Sequence, residues 1–312
     1  MIKINLPSAA FALLLVLPGL VAARENEYTK LPDGAVLVLP KHPQVITDWS
    51  VMPGILKKLN DKTLLFDVAP NGKICLAGKR TLFYPEIPLL LMTRAPISEF
   101  IWLAEGNMLV HSGQALGFLK LDPDDAGNAP GKSKKGDGTL SFTPLFKIPY
   151  KKSHLYAGLG DFFYLVGRND KENRNEISAW NLSDEKVPAK PLYATDAPIS
   201  AVAGSPEKMY FATGRAVFLL KKGETEAKPV YVNELEDIRE LIYRPDTGLF
   251  FTTGHSAGYI GEKEQFVFLA YPGVQMRLRG NALHVRMGSV ANGILRITGP
   301  EHFADLRLDP KK

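Results

Sequence analysis

Thr247-Gly248-Leu249-Phe250-Phe251-Thr252-Thr253-Gly254 is a turn, a short run of strand-forming residues and a glycine six positions after the turn. The same unit stands at Asn71–Gly78, Gly106–Gly113, Gly160–Gly167, Glu207–Gly214 and Asn281–Gly288, which makes six copies. Their closing glycines lie 35, 54, 47, 40 and 34 residues apart, and the two wide gaps hold polar insertions. A fixed period of this size means that one supersecondary unit is stacked repeatedly.

Each copy follows one apolar run and precedes others. The preceding runs are 63–68, 97–103, 154–159, 199–203, 238–243 and 274–278. Third runs occur at 81–84, 116–121, 177–181, 216–220 and 294–298, and fourth runs at 89–92, 145–148, 192–194, 230–232, 266–270 and 303–308. Val, Ile, Phe and Tyr fill these segments, and Gly, Pro, Asn and Asp punctuate them, as strands joined by tight turns require. Four strands in units of about 40 to 50 residues are the pattern of a propeller blade. The expected fold class is therefore all-β, a six-bladed β-propeller of four-stranded antiparallel blades over residues 62–312.

The chain resembles the β-propeller superfamily in its WD40, NHL and YVTN-like variants. The resemblance is architectural: no Trp-Asp pair closes a blade, and Trp49, Trp102 and Trp180 share no position in the repeat. The constant spacing follows if the second strand of a blade lies between the first and third, with glycine supplying positive φ at a two-residue hairpin. Three residues before each glycine stand Cys75, Val110, Tyr164, Phe211, Phe251 and Val285, all suited to burial, so Cys75 reads as a small core side chain.

The 312 residues include 45% apolar and 23% charged residues and a single Cys, a composition that excludes a disordered chain and a disulfide scaffold. Residues 1–23 carry Lys3, an apolar run from Ala9 to Leu17, a Pro18-Gly19 break and Val21-Ala22-Ala23 before Arg24, the layout of a cleavable secretory signal cut after Ala23. A secreted or periplasmic location follows, with no transmembrane segment in the mature chain. Removing the signal leaves 37 basic against 33 acidic side chains, a net +4 too mild and dispersed for nucleic acid. Residues 24–61 form an N-terminal extension with an edge strand at 35–39. Either this strand or the C-terminal run 303–308 completes the last blade.

Loops between second and third strands share one face of a propeller with loops that lead into the next blade. Directly after the repeated glycines that face presents Lys79, Arg80, Gln114, Arg168, Arg215, His255 and Ser289. Such a rim could hold a protein or an anionic glycan, or it could be ordinary solvated turns partly cancelled by Asp196, Glu234, Glu236 and Asp237. The insertion at 168–176 reads either as a contact loop or as a solvated hairpin extension. Residues 122–138 read as a linker, because Ala126 and Ser133 occupy positions where a calcium loop needs ligands.

No HExxH, nucleophile elbow or phosphate loop occurs, so no catalytic residue, metal ligand or cofactor is assigned. Two functional classes follow. One is an exported, non-enzymatic binding or scaffold protein. The other is a calcium-dependent hydrolase similar to the lactonase-type six-bladed propellers, which would place Glu99, Asp196, Glu236 and Asp237 around a channel metal.

Overall fold

A computed structural model of the chain describes residues 31–39, 44–48, 64–84, 87–93, 95–103, 107–121, 139–182 and 191–303. The signal-like segment, the 122–138 linker, His42 and Trp49 lie outside the described residues.

Two short strands come first, β1 (Val36–Leu37) and β2 (Gln44–Asp48). Blade 1 then comprises β3 (Leu65–Val68), β4 (Ile74–Ala77), β5 (Thr81–Tyr84) and β6 (Ile87–Thr93). Blade 2 comprises β7 (Glu99–Trp102), β8 (Met108–Ser112), β9 (Ala115–Leu121) and β10 (Thr139–Lys147). Blade 3 is β11 (Ser153–Ala157), β12 (Phe162–Asn169), β13 (Arg174–Asn181) and β14 (Tyr193–Thr195). Blade 4 is β15 (Ala201–Ser205), β16 (Lys208–Thr213), β17 (Ala216–Lys221) and β18 (Lys228–Val232). Blade 5 is β19 (Glu240–Arg244), β20 (Gly248–Thr252), β21 (Ser256–Ile260) and β22 (Gln265–Ala270), and blade 6 supplies β23 (Val274–Arg279), β24 (Ala282–Met287) and β25 (Ile294–Thr298).

Consecutive strands within each blade pair antiparallel. The inner strands β3, β7, β11, β15, β19 and β23 each lie beside the next, and β23 returns to β3, so the blades close into a ring. The chain is a six-bladed β-propeller.

Blade 6 takes its outer strand from the other end of the chain: Gln44 pairs with Thr298 and Asp48 with Ile294, so β2 holds the two ends of the propeller together. Of the C-terminal run expected as a strand at 303–308 only Phe303 is described: it ends a 3-10 turn, Pro300–Phe303, and packs among Phe250, Tyr259, Phe266 and Phe268, while 304–308 lie outside the described residues. The strand expected at 35–39 forms as β1 and pairs with β22 as a fifth strand on blade 5. In blades 1 and 2 the outer strands β6 and β10 pair in parallel, merging both blades into one sheet.

Among the described residues the buried apolar side chains fall into six clusters, one at each interface between neighbouring blades. Burial of strand faces against adjacent sheets is thus what holds the ring. All six residues three before the repeated glycines are buried, Cys75 included, and burial pushes its thiol pKa up.

The glycines have more than one cause. Gly113 and Gly214 adopt φ of +62° and +54°, as their two-residue hairpins require, and Gly288 adopts +63° ahead of the 3-10 turn Val290–Asn292. Gly167 instead sits inside β12, where a Cβ would run into the Tyr150 ring. Its hairpin runs on to Asn169 and Arg174, so the 168–176 insertion lengthens two paired strands.

Candidate functional site

The hairpins between second and third strands place Lys79, Arg80, Gln114, Arg168, Arg215 and His255 on one face of the ring, all exposed, whereas Ser289 is partly buried beside the turn Val290–Asn292. Several are tied to neighbours. Gln114 Nε2 donates to the Tyr150 carbonyl at 3.4 Å, Arg168 donates to the Asn173 side-chain oxygen, and His255 Nδ1 meets Glu236 Oε1. Arg215 Nη1 donates to the Glu234 carbonyl at 2.9 Å.

These last contacts brace the loop that leads from blade 4 into blade 5. Asn233, itself buried, donates through Nδ2 to the Glu236 carbonyl at 2.9 Å, and its N–H donates to the Arg215 carbonyl. Glu236 Oε2 accepts from Thr253 Oγ1 at 2.5 Å and from the His255 N–H at 3.0 Å. Those hydrogen bonds from Thr253 and His255 hold the Glu236 carboxyl below its ordinary pKa. The Ile238 N–H donates to the Gly214 carbonyl. At the centre of this fastened loop Leu235 is 86% exposed, and Val232 at the end of β18 is 59% exposed. Nothing in the repeat marks Leu235, because it stands between strands among Glu234, Glu236 and Asp237.

The inner strands line a central channel of about 870 Å³ that reaches from Glu99, His154, Ser200 and Glu240 at their starts to Arg244, Asp246 and Arg279 at their ends. Its carboxylates reach between blades. Asp67 Oδ2 accepts the Trp102 N–H at 2.6 Å, Glu99 Oε2 accepts the Leu155 N–H at 2.6 Å, and Glu240 Oε2 accepts the Met276 N–H at 2.9 Å. In each case an inner strand is clasped to the inner strand of the next blade.

The remaining oxygens are also taken. Asp67 Oδ1 accepts the Val68 N–H at 2.8 Å, and Glu240 Oε1 accepts Arg277 Nη1 at 2.9 Å. Glu99 lies between two histidines, with Oε1 2.7 Å from His154 Nδ1 and Oε2 3.3 Å from His111 Nδ1. Burial opposes ionisation of Glu99, but its hydrogen bonds with His111, His154 and the Leu155 N–H outweigh that and lower its pKa. The bond to Glu99 raises the pKa of His154 against a smaller opposing effect of burial. Burial raises the pKa of Asp67, although Arg277 and Arg279 pull it down.

Arg277 and Arg279 escape sequence reasoning based on the repeat, yet their i, i+2 spacing in an inner strand does put both on one face. Arg279 donates to the carbonyls of Val68 and Trp102 at 2.8 and 2.7 Å, which joins blade 6 to blades 1 and 2.

The residues considered for calcium do not converge. Glu99 faces the channel, Glu236 belongs to the 233–238 loop with Asp237 beside it, and the Asp196 side chain is 89% exposed near Arg174. Among the described residues no three His, Cys, Asp or Glu side chains are arranged to hold a metal ion.

No family profile matches the chain, and no curated protein matches its sequence. Among solved structures it is similar to a luciferin-regenerating enzyme, at 14% identity and a TM-score of 0.56, covering 82% of this chain and 95% of that one. A gluconolactonase from Xanthomonas campestris aligns at 8% identity and a TM-score of 0.46, over 87% and 99% of the two chains. A chain of a mitotic checkpoint complex aligns at 13% identity and 0.48, over 96% and 97%. The first likeness speaks to the fold alone; the other two carry no argument.

Proposed function

We propose that this chain is an exported, non-enzymatic β-propeller that docks a protein partner on the face carrying Arg215, His255 and the 233–238 loop. The observation that carries this reading is Leu235. A leucine exposed to 86% is held on a loop whose backbone and side chains are fastened at both ends by Arg215, Asn233, Thr253 and His255. An apolar side chain presented on a preordered loop loses little freedom on binding, and docking surfaces gain affinity from such preorganisation. Glu234, Glu236 and Asp237 around it, with Arg168 and Arg215 further along the same face, favour a partner whose apolar pocket is edged by cationic groups and flanked by anionic ones.

The sequence supports the non-enzymatic half of the proposal, because it carries no HExxH, nucleophile elbow or phosphate loop. Export rests on the signal-like segment 1–23.

The test is co-purification of the tagged, full-length chain from the envelope fraction of its source cells, alongside Leu235→Asp. One stoichiometric protein retained by the wild type and lost from the variant is expected. Equal retention by both would remove Leu235 as the anchor, and a stoichiometric calcium ion with three or more side-chain ligands would overturn the non-enzymatic reading.

A further inference from the structure

The channel has an asymmetry that the docking face does not use. Its acceptors are committed and some of its strongest donors are not. Both oxygens of Asp67, Glu99, Glu240 and Asp246 receive hydrogen bonds or ion pairs from the protein. Among the described residues, by contrast, Arg277 spends Nη1 on Glu240 and the Met276 carbonyl and approaches Asp67 with Nε at 3.9 Å, while Nη2 has no hydrogen-bond partner. Arg279 spends Nε and Nη2 on carbonyls, and Nη1 has none.

We propose that the central channel binds a small ligand through an oxyanion, a carboxylate or phosphate, received by the open nitrogens of Arg277 and Arg279. The volume of about 870 Å³ suits a small organic ligand. Arg277 and Arg279 stand two residues apart on β23, and a guanidinium offers paired donors matched to planar or tetrahedral oxyanions. The Arg277 guanidinium also lies 5.0 Å from the centre of the Phe66 ring, and its bond to Glu240 fixes it further, so it is ordered before a ligand arrives. Because Asp67, Glu99, Glu240 and Asp246 balance most of the cationic charge, recognition depends on directed hydrogen bonds more than on a net field. This binding is independent of the docking face.

The experiment is calorimetric titration of the mature chain with succinate, with inorganic phosphate and with glucose as an uncharged control. Saturable one-to-one binding of succinate or phosphate, without binding of glucose, is expected. Arg277→Gln and Arg279→Gln should each weaken it at least tenfold. Ala157→Phe should do the same by filling the channel while leaving every clasp in place, which keeps the test valid if Arg277→Gln does not fold. Arg168→Glu with Arg215→Glu, on the docking face, should leave it unchanged. Absence of saturable anion binding, its persistence in Ala157→Phe, or its loss in the docking-face double variant would overturn the proposal.

Discussion

The Glu99 carboxylate, on the first residue of blade 2's inner strand, accepts the backbone N–H of Leu155 in blade 3 at 2.6 Å. Leu155 is buried and the Glu99 carboxylate is the acceptor of its N–H, so removing the carboxylate takes that partner away. Glu99→Ala should therefore destabilise the fold by about 2 kcal/mol, the cost of an unsatisfied buried donor, seen as a lower urea midpoint at unchanged m-value. A midpoint equal to the wild type would mean that this clasp contributes nothing.

The Glu99–His154 pair sets a pH dependence. The lowered pKa of Glu99 contributes stability that is present above its ordinary value of 4.5 and lost as pH falls through the lowered one. The raised pKa of His154 contributes stability that is full below its ordinary value of 6.5 and lost as pH rises through the raised one. The pair is thus most stabilising between those limits. His154→Gln should lower the urea midpoint more at pH 5.5 than at pH 9, by under about 1 kcal/mol because the ring is largely exposed. An equal loss at both pH values would contradict the assignment.

Two glycines of the repeat should respond differently to alanine. At Gly113 an added methyl would meet nothing within 4 Å, and the cost is that of positive φ, about 1 kcal/mol. At Gly167 the methyl would strike the Tyr150 ring, whose hydroxyl donates to Glu176 Oε2 at 2.8 Å, so the ring must move and that bond is disturbed. Gly167→Ala should cost about 2 kcal/mol or more. Comparing both variants by thermal unfolding decides the point, and a smaller loss at Gly167 would contradict it.

Closure of the ring by β2 predicts a sharp boundary for truncation. Removing residues 1–30 leaves β1 and β2 in place and should preserve cooperative unfolding. Removing residues 1–48 also bares the edge of β25 and the apolar surface covered by Leu37 and Val45, and should produce aggregation visible by light scattering. A soluble, cooperatively unfolding chain beginning at residue 49 would show that β2 is dispensable.

The docking face makes a separate prediction about charge. Arg168→Glu with Arg215→Glu should weaken partner binding and reduce its salt dependence, read by binding at low and physiological ionic strength. Unchanged binding would restrict the contact to Leu235 and its loop.

The six-unit repeat was legible because a second strand packed on both faces demands apolar residues at a constant distance from its turns, and all six positions three before the glycines are buried. The third strand of blade 5 was not. Ser256-Ala257-Gly258 lacks strand character because the Phe251 ring occupies the space that a Cβ at Gly258 would need. The origin of the last outer strand was equally hidden, since pairing between β2 and β25 joins residues some 250 positions apart and leaves no local pattern. At the site, the rim residues followed from the glycines, while Asp67, Glu240, Arg277 and Arg279 depend on which face of an inner strand meets the channel. Leu235 depends on hydrogen bonds between loops of different blades.

The most direct test of docking through the loop face is a photo-crosslinking residue placed at position 235 in the full chain, expressed in its source cells, with position 207 on the opposite face as reference. Glu207 is exposed in the turn between β15 and β16. A single discrete protein adduct at 235 and none at 207 is the predicted result. No adduct at 235, or the same adducts from both positions, would contradict it.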